Sequence, residues 1–163
     1  MTYPVLFAYA GQNGLSPAQP ITTFDALTDT LTNSANVDYN LSAVSVSGDA
    51  SRVILQNTGV YSRALVITGN LLPPGSGGVA LASRDSTKAF VYRDDGASPR
   101  IEVYDLTLPV QTGGLYQLVK TVSLADSPNA TAGNYQAITL AQTPDGATVF
   151  VSGDSRILVV PVQ

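Results

Sequence analysis

The feature that most constrains this chain is an internal repeat. Three stretches align: residues 43–49, 79–85 and 138–145, each a short apolar run that ends at an aspartate, Asp49, Asp85 or Asp145. A second apolar run follows each aspartate, at 52–55, 88–92 and 148–151. A third run follows in turn, its copies opening on Ser62-Arg63, Pro99-Arg100 and Ser155-Arg156. The unit is thus strand, Asp turn, strand, loop, Arg-led strand. A unit of this size cannot bury its apolar face alone, so the copies must stack on one another. Short strands at this spacing, separated by turn residues, indicate an all-β fold.

A fourth strand extends the second full unit at Leu115 to Leu124. The N-terminal segment fits a unit without its first strand: 5–9 as second strand, 21–25 as third, and a weak fourth near 30–37. The sequence therefore predicts antiparallel four-stranded β-propeller blades. A partial blade spans 1–40, full blades 41–72 and 77–124, and a partial blade 134–163, about three and a half blades or half a propeller. Val44, Val46, Val53, Leu55 and Val66 are expected to fill the contacts between blades. The segments 75–78 and 126–133 read as connections, with Pro73 and Pro74 stiffening the first. A β-sandwich with similar strand content is the competing architecture.

The acid usage agrees. Eleven of the twelve acids are Asp, and Glu102 is the only Glu. Asp serves turns and caps, whereas Glu serves helix faces. Asp145-Gly146 suits a tight hairpin, because Gly accepts positive φ. Asp25 and Asp105, at strand ends, are expected to cap the turns that follow them.

The motif Thr143-Pro144-Asp145-Gly146 with Val149-Phe150-Val151 resembles the bacterial YVTN and lactonase-like propeller repeats. Val103-Tyr104-Asp105-Leu106-Thr107 and Thr23-Phe24-Asp25-Ala26-Leu27-Thr28 resemble the strand-ending motif of the same family. The match is degenerate: Thr68-Gly69 stands where the first full unit would carry that Asp, and Pro161 where the last would. The resemblance implies a propeller fold; such repeats carry many functions, so it implies little about activity.

Several residues invite a functional reading. Arg63, Arg100 and Arg156 read as one register position, either a shared anion site or edge charges whose stems cover apolar surface. The second is favoured, since the copies lie a blade apart. Asp94-Asp95-Gly96 and Gly153-Asp154-Ser155 fall in equivalent loops; they read as calcium ligands or as solvated turns. No one loop has the spaced acids of an EF-hand, which favours the turn. Glu102 alternates with Ile101 and Val103, so it is expected to point away from the core. Asn40-Leu41-Ser42 and Asn129-Ala130-Thr131 fit the glycosylation sequon, a triplet common by chance.

The absences bound the chemistry. The chain has no Cys and no His, which removes disulfides, thiolate metal sites, the usual neutral-pH base and the commonest zinc ligand. No Gly-x-Ser-x-Gly elbow is present. Net charge is −4 with no basic run, so no footprint for nucleic acid exists. No apolar stretch is long enough for a membrane helix, and the first residues lack a signal peptide's charged start. The expectation is a non-catalytic module, with no catalytic residues, cofactor or metal. It would act as a scaffold or a surface for an unidentified protein or carbohydrate, and self-associate as a homodimer through its open end blades. An extracellular or periplasmic setting goes with the family resemblance. A lactonase-like hydrolase, or part of a larger propeller enzyme, is the alternative.

Overall fold

A computed structural model describes residues 5–9, 19–25, 28–37, 44–55, 59–73, 75–95, 98–130, 135 and 138–163, with the backbone alone at 5–9, 19–21 and 33–37. It is all-β, with no α-helix among the described residues. Fourteen strands form four antiparallel sheets, each a meander in chain order. The first sheet holds β1 (Val5–Tyr9), β2 (Gln19–Asp25) and β3 (Thr30–Val37). The second holds β4 (Ser45–Val46), β5 (Arg52–Leu55), β6 (Gly59–Ser62) and β7 (Ile67–Asn70). The third holds β8 (Val79–Ala82), β9 (Lys88–Arg93), β10 (Arg100–Asp105) and β11 (Gln117–Ser123). The fourth holds β12 (Thr139–Gln142), β13 (Thr148–Ser152) and β14 (Ile157–Pro161).

The second, third and fourth sheets stack face to face. Between the second and third lie Ile54, Val60, Leu71 and Leu72, packed with Ala80, Ala82, Ala89, Val91 and Tyr104. Alanines on the third sheet let the first strands come close, so β8 neighbours both β4 and β12. Between the third and fourth lie Phe90, Tyr92, Ile101 and Val103, packed with Val149, Val151 and Val160. The third sheet is therefore buried on both faces, and its strands β9 and β10 carry unbroken buried runs rather than an alternation. Sheets stacked with their first strands together and their fourth strands outward make a propeller-like arrangement.

Backbone hydrogen bonds stitch the outer strands together. The Asn70 N–H donates to the Gly114 carbonyl at 2.8 Å, and Tyr116 N–H donates to the Asn70 carbonyl at 2.9 Å. Gly69 is required there by space: a Cβ would stand 2.5 Å from Val110 Cγ1 and 2.9 Å from the Tyr116 ring.

Five expectations are corrected. Val44 and Val46 are exposed, while Ser45 and Ser47 are buried. Ser45 pairs with Ile54, and its hydroxyl accepts the Ala82 N–H at 2.8 Å, so this register turns the serines toward the third sheet. Val66 is 62% exposed, and Arg63 lies in a turn rather than leading a strand. The third strand of that sheet is β6, because Leu55 pairs with Gly59 in a close hairpin; the chain then turns through Leu65 at φ 57°. Glu102 does not face solvent; it is 5% exposed, because the side of β10 opposite Ile101 and Val103 also meets a sheet. Asp94 is 3% exposed and is no solvated turn. Val53 and Leu55 are buried as expected, but so is Ile54 between them.

Candidate functional site

The Asp turns come first, because they recur. Asp49, Asp85 and Asp145 each accept a hydroxyl from the residue two before: Ser47 at 2.8 Å, Ser83 at 2.6 Å and Thr143 at 2.6 Å. Each also accepts the N–H two residues on, from Ser51, Thr87 and Ala147. The same Ser47, Ser83 and Thr143 hydroxyls accept the N–H groups of Arg52, Lys88 and Thr148, which open the second strands. The residue after each aspartate is left-handed: Ala50 at φ 56°, Ser86 at φ 65° and Gly146 at φ 68°. Asp105 closes the turn after β10 in the same manner, through the Thr107 N–H at 2.8 Å and hydroxyl at 2.6 Å. The turn after Asp25 runs through Ala26 and Leu27, which lie outside the described residues.

These bonds tune the carboxylates. The Ser83 hydroxyl holds Asp85 below its ordinary value, Thr107 does so for Asp105, and Thr143 for Asp145. At Asp49 burial pushes upward, and bonds from Ser86, Ser51 and Ser47 together outweigh it, leaving a lowered value. In all four the turn bonds favour the ionised form.

Glu102 anchors a charged cluster at the far end of the third sheet. Its carboxylate accepts Arg100 Nε at 2.8 Å and the Tyr104 hydroxyl at 2.7 Å, and Arg93 Nη1 stands 3.7 Å away. Arg100 also meets Asp95 through two bonds of 2.9 Å, and Arg93 Nη2 meets Asp95 at 2.6 Å. The Arg100 partnership holds Asp95 well below the carboxylate range. Burial, with Glu102 beside it, raises the Tyr104 phenol well above its ordinary value, so it stays a donor.

Asp94 anchors the second cluster. Its Oδ2 accepts the Ser127 hydroxyl at 2.7 Å and the Tyr92 hydroxyl at 3.2 Å, and its N–H donates to Tyr135 Oη at 3.1 Å. The Tyr92 and Tyr135 rings meet edge-on at 6.3 Å. Burial pushes the Tyr92 phenol up to about 12. This set ties β9 to the connection between the third and fourth sheets. It resembles a Ser–Asp pair, and the Tyr92 hydroxyl lies 3.2 Å from the Ser127 hydroxyl beside the buried Asp94.

The residues singled out from sequence thus separate. Arg100 is held by Asp95 and Glu102, Arg156 by Asp126 at 2.9 Å, and Arg63 stands apart in its turn. They do not share one site. Asp154 is exposed and accepts the Ala130 N–H at 2.9 Å. Among the described residues no group of three or more acids could hold a metal ion; Gly96 lies outside them. Asn129 is buried, and its Oδ1 accepts the Asp154 N–H, so its amide is built into the fold. Asn40-Leu41-Ser42 and Thr131 lie outside the described residues. No helix of the described residues is long and apolar enough to cross a membrane.

Three surfaces stand out among the described residues, the third of them an end blade of the kind expected from the repeats. A groove of about 270 Å³ runs along the first strands, lined by Ser45, Val79, Leu81, Ile138 and Thr139. A second, of about 290 Å³, opens between β11 and β14 and is lined by Val122, Leu124, Leu158 and Val160. The third is the outer face of the fourth sheet. On the third sheet, Phe90 pairs with Leu81 and Val103, a row that packs on the fourth sheet. On the fourth sheet, Phe150 pairs with Ala141 and Val159 in the equivalent row, but Val159 is 64% exposed and Ile157 66%.

No family model matches the sequence, and no curated protein is similar to it. Solved structures share its fold. Hydrazine synthase from Kuenenia stuttgartiensis is 17% identical with a TM-score of 0.58, over 87% of this chain and 40% of that one. A functionally unknown protein from Desulfotomaculum acetoxidans is 18% identical with a TM-score of 0.62, over 98% of this chain and 48% of that one. This chain therefore spans less than half the length of either. At such identity the likeness is one of fold. It agrees with the propeller-like part of the resemblance read from the repeats.

Proposed function

We propose that this chain is a non-catalytic β-propeller module of the YVTN-like kind, a scaffold or binding surface that completes its ring with a second copy. The observation that carries this reading is the outer face of the fourth sheet. Ala141, Phe150 and Val159 repeat, row for row, the Leu81, Phe90 and Val103 that receive a following sheet inside the molecule. A face built to be covered drives association when left open. Two-fold pairing is the commonest way to close such contacts, and it would set this face on the first sheet of the partner at both joints. The clusters around Asp94 and Glu102 support a non-catalytic role, since their buried carboxylates are engaged by internal donors. Loops at the sheet ends would then carry recognition, in an extracellular or periplasmic setting.

Light scattering at micromolar concentration tests the pairing. A dimer is expected, with Phe150→Asp plus Val159→Asp giving a folded monomer. A second reading has one observation in its favour: the matched structures are more than twice as long, as a piece of a larger propeller would require. A clean, cooperatively unfolding monomer before any substitution would favour it and refute the dimer.

A further inference from the structure

Resting on the binding-surface reading, we infer that the cleft between the Asp85 and Asp145 turns takes a polyhydroxylated ligand, one sugar ring in size. Two successive joints between sheets can be compared position by position, because Asp49, Asp85 and Asp145 are equivalent. At the joint of the second and third sheets the turns touch. The Gly48 N–H donates to the Arg84 carbonyl at 3.0 Å, and a Cβ on Gly48 would stand 2.6 Å from Arg84 Cγ. The Ser86 hydroxyl crosses this joint and donates to Asp49. At the joint of the third and fourth sheets, Arg84, Pro144 and Gly146 take the places of Gly48, Arg84 and Ser86. Gly146 has no hydroxyl to give Asp85. A cleft of about 190 Å³ opens there, lined by Arg84, Asp85, Gln142, Pro144, Asp145 and Gly146.

The walls define what fits. Asp85 spends Oδ1 on the Ser83 hydroxyl and on Thr87, and Asp145 spends Oδ1 on the Thr143 hydroxyl and the Ala147 N–H. Among the described residues, Oδ2 of each accepts no bond from another residue. Gln142 stands where the other units carry Val46 and Ala82. Its Nε2 donates to the Ala82 carbonyl at 2.9 Å, which sets the orientation of the amide. Its Oε1 is the one buried side-chain oxygen among the described residues without a donor, and it lies 3.8 Å from where a Cβ would stand on Gly146. A small tilt of the amide brings Oε1 to the cleft surface, where a ligand hydroxyl is the donor it lacks. Arg84 is exposed and adds donors at the rim. A cation has too few oxygens here and a guanidinium beside it. A sugar ring suits the mixture, since each hydroxyl both donates to a carboxylate or amide oxygen and accepts from arginine. The Ser86 hydroxyl on Asp49 is the precedent for such a bond within the molecule. The cleft is smaller than the roughly 300 Å³ at which drug-sized sites begin, which limits it to one ring.

The probes are the methyl glycosides of glucose, galactose, mannose and N-acetylglucosamine, titrated into the isotope-labelled full chain while amide shifts are followed. At least one should give saturable shifts centred on residues 84–87 and 142–147, with a Kd of about 1 mM or tighter. Gly146→Ser puts into the cleft the hydroxyl that Ser86 supplies at the other joint. Ser86 already holds the same left-handed turn, φ 65° against 68° at Gly146, so circular dichroism should not change. This variant should bind at least about tenfold more weakly, the worth of one hydrogen bond. Gly146→Ala adds the Cβ without the hydroxyl and should stay within about threefold of the parent. No saturation by any glycoside up to about 10 mM, as a cleft that holds only water would give, overturns the assignment. So do equal affinities for Gly146→Ser and Gly146→Ala, or saturable shifts centred elsewhere. The cleft lies within one chain, so a monomer that binds a glycoside refutes only the ring, and a dimer that does not refutes only this site.

Discussion

Three equivalent turn positions allow one substitution to be tested in opposite directions. Ala50, Ser86 and Gly146 all sit just after a turn aspartate with φ between 56° and 68°. A Cβ in the left-handed region costs about 1–2 kcal/mol, and glycine loses about 0.5–1 kcal/mol in folding entropy relative to alanine. Ala50→Gly should thus stabilise the chain by about 0.5–1 kcal/mol, and Gly146→Ala should destabilise it by the same amount. A Cβ at Gly146 would meet only Gln142 Oε1, at 3.8 Å, so no clash adds to the conformational cost. For a domain of this size each change moves the melting temperature by about 2–3 °C. Ser86→Gly should gain less, because the Ser86 hydroxyl donates to Asp49 across the second and third sheets. Urea unfolding and calorimetry on the three variants, at fixed protein concentration, measure the effect. If Ala50→Gly lowers stability, or if Ala50→Gly and Gly146→Ala shift it the same way, the turns are not equivalent and the reasoning fails.

Other outcomes follow from the buried clusters and the turns. Glu102→Ala should lose about 3 kcal/mol, because the buried Tyr104 hydroxyl loses its acceptor and Arg100 and Arg93 keep only the partly exposed Asp95; Glu102→Gln should lose less than half of that in urea titration. Gly69→Ala should part the second and third sheets at their outer strands and cost about 1–3 kcal/mol, read as a lowered urea midpoint. Asp85 and Asp105 are held below their ordinary value of 3.8 in the folded chain, so stability from these bonds is present above about pH 4 and lost as pH falls further. Melting temperature should be flat from pH 5 to 8 and drop below 4, and Asp85→Asn should flatten that drop.

How much of this was legible depended on whether one sheet's own periodicity carried the information. Asp49, Asp85 and Asp145 announced their turns because the bonding is local, closing within a few residues. The strand-forming runs at 88–92 and 148–151 were legible for the same reason: β-branched and aromatic residues between turn signals. Arg63 was misplaced because alignment on arginine ignored the Gly59 hairpin, whose register with Leu55 sets the third strand. Glu102 is buried where alternation along β10 implies a solvent face, and Asp94 is buried where loop chemistry implies a solvated turn. A strand between two stacked sheets has no solvent face, and its polar residues are satisfied by partners that the sequence places far away. Asp94 meets Ser127 and Tyr135 only after the chain has crossed the whole third sheet.

That geometry also decides where chemistry can reside in such a chain. Where both faces of a sheet are buried, ionisable groups persist only if they pair internally, as Glu102 does with Arg100 and Asp94 with Ser127. What stays available is surface that has no sheet to cover it. The fourth sheet keeps the interior residue pattern on its outer face, with Phe150 where Phe90 lies buried one sheet earlier. Phe150→Asp should lower the melting temperature of the isolated chain by far less than Phe90→Asp, because Phe150 is half-buried on the outer face while Phe90 lies wholly buried between two sheets. Phe90→Asp should prevent folding, because the same substitution then buries a charge between two sheets. Equal losses for the two variants, measured by thermal unfolding below any dimerisation range, would mean that Phe150 is covered within the chain and that the fourth sheet has no open face.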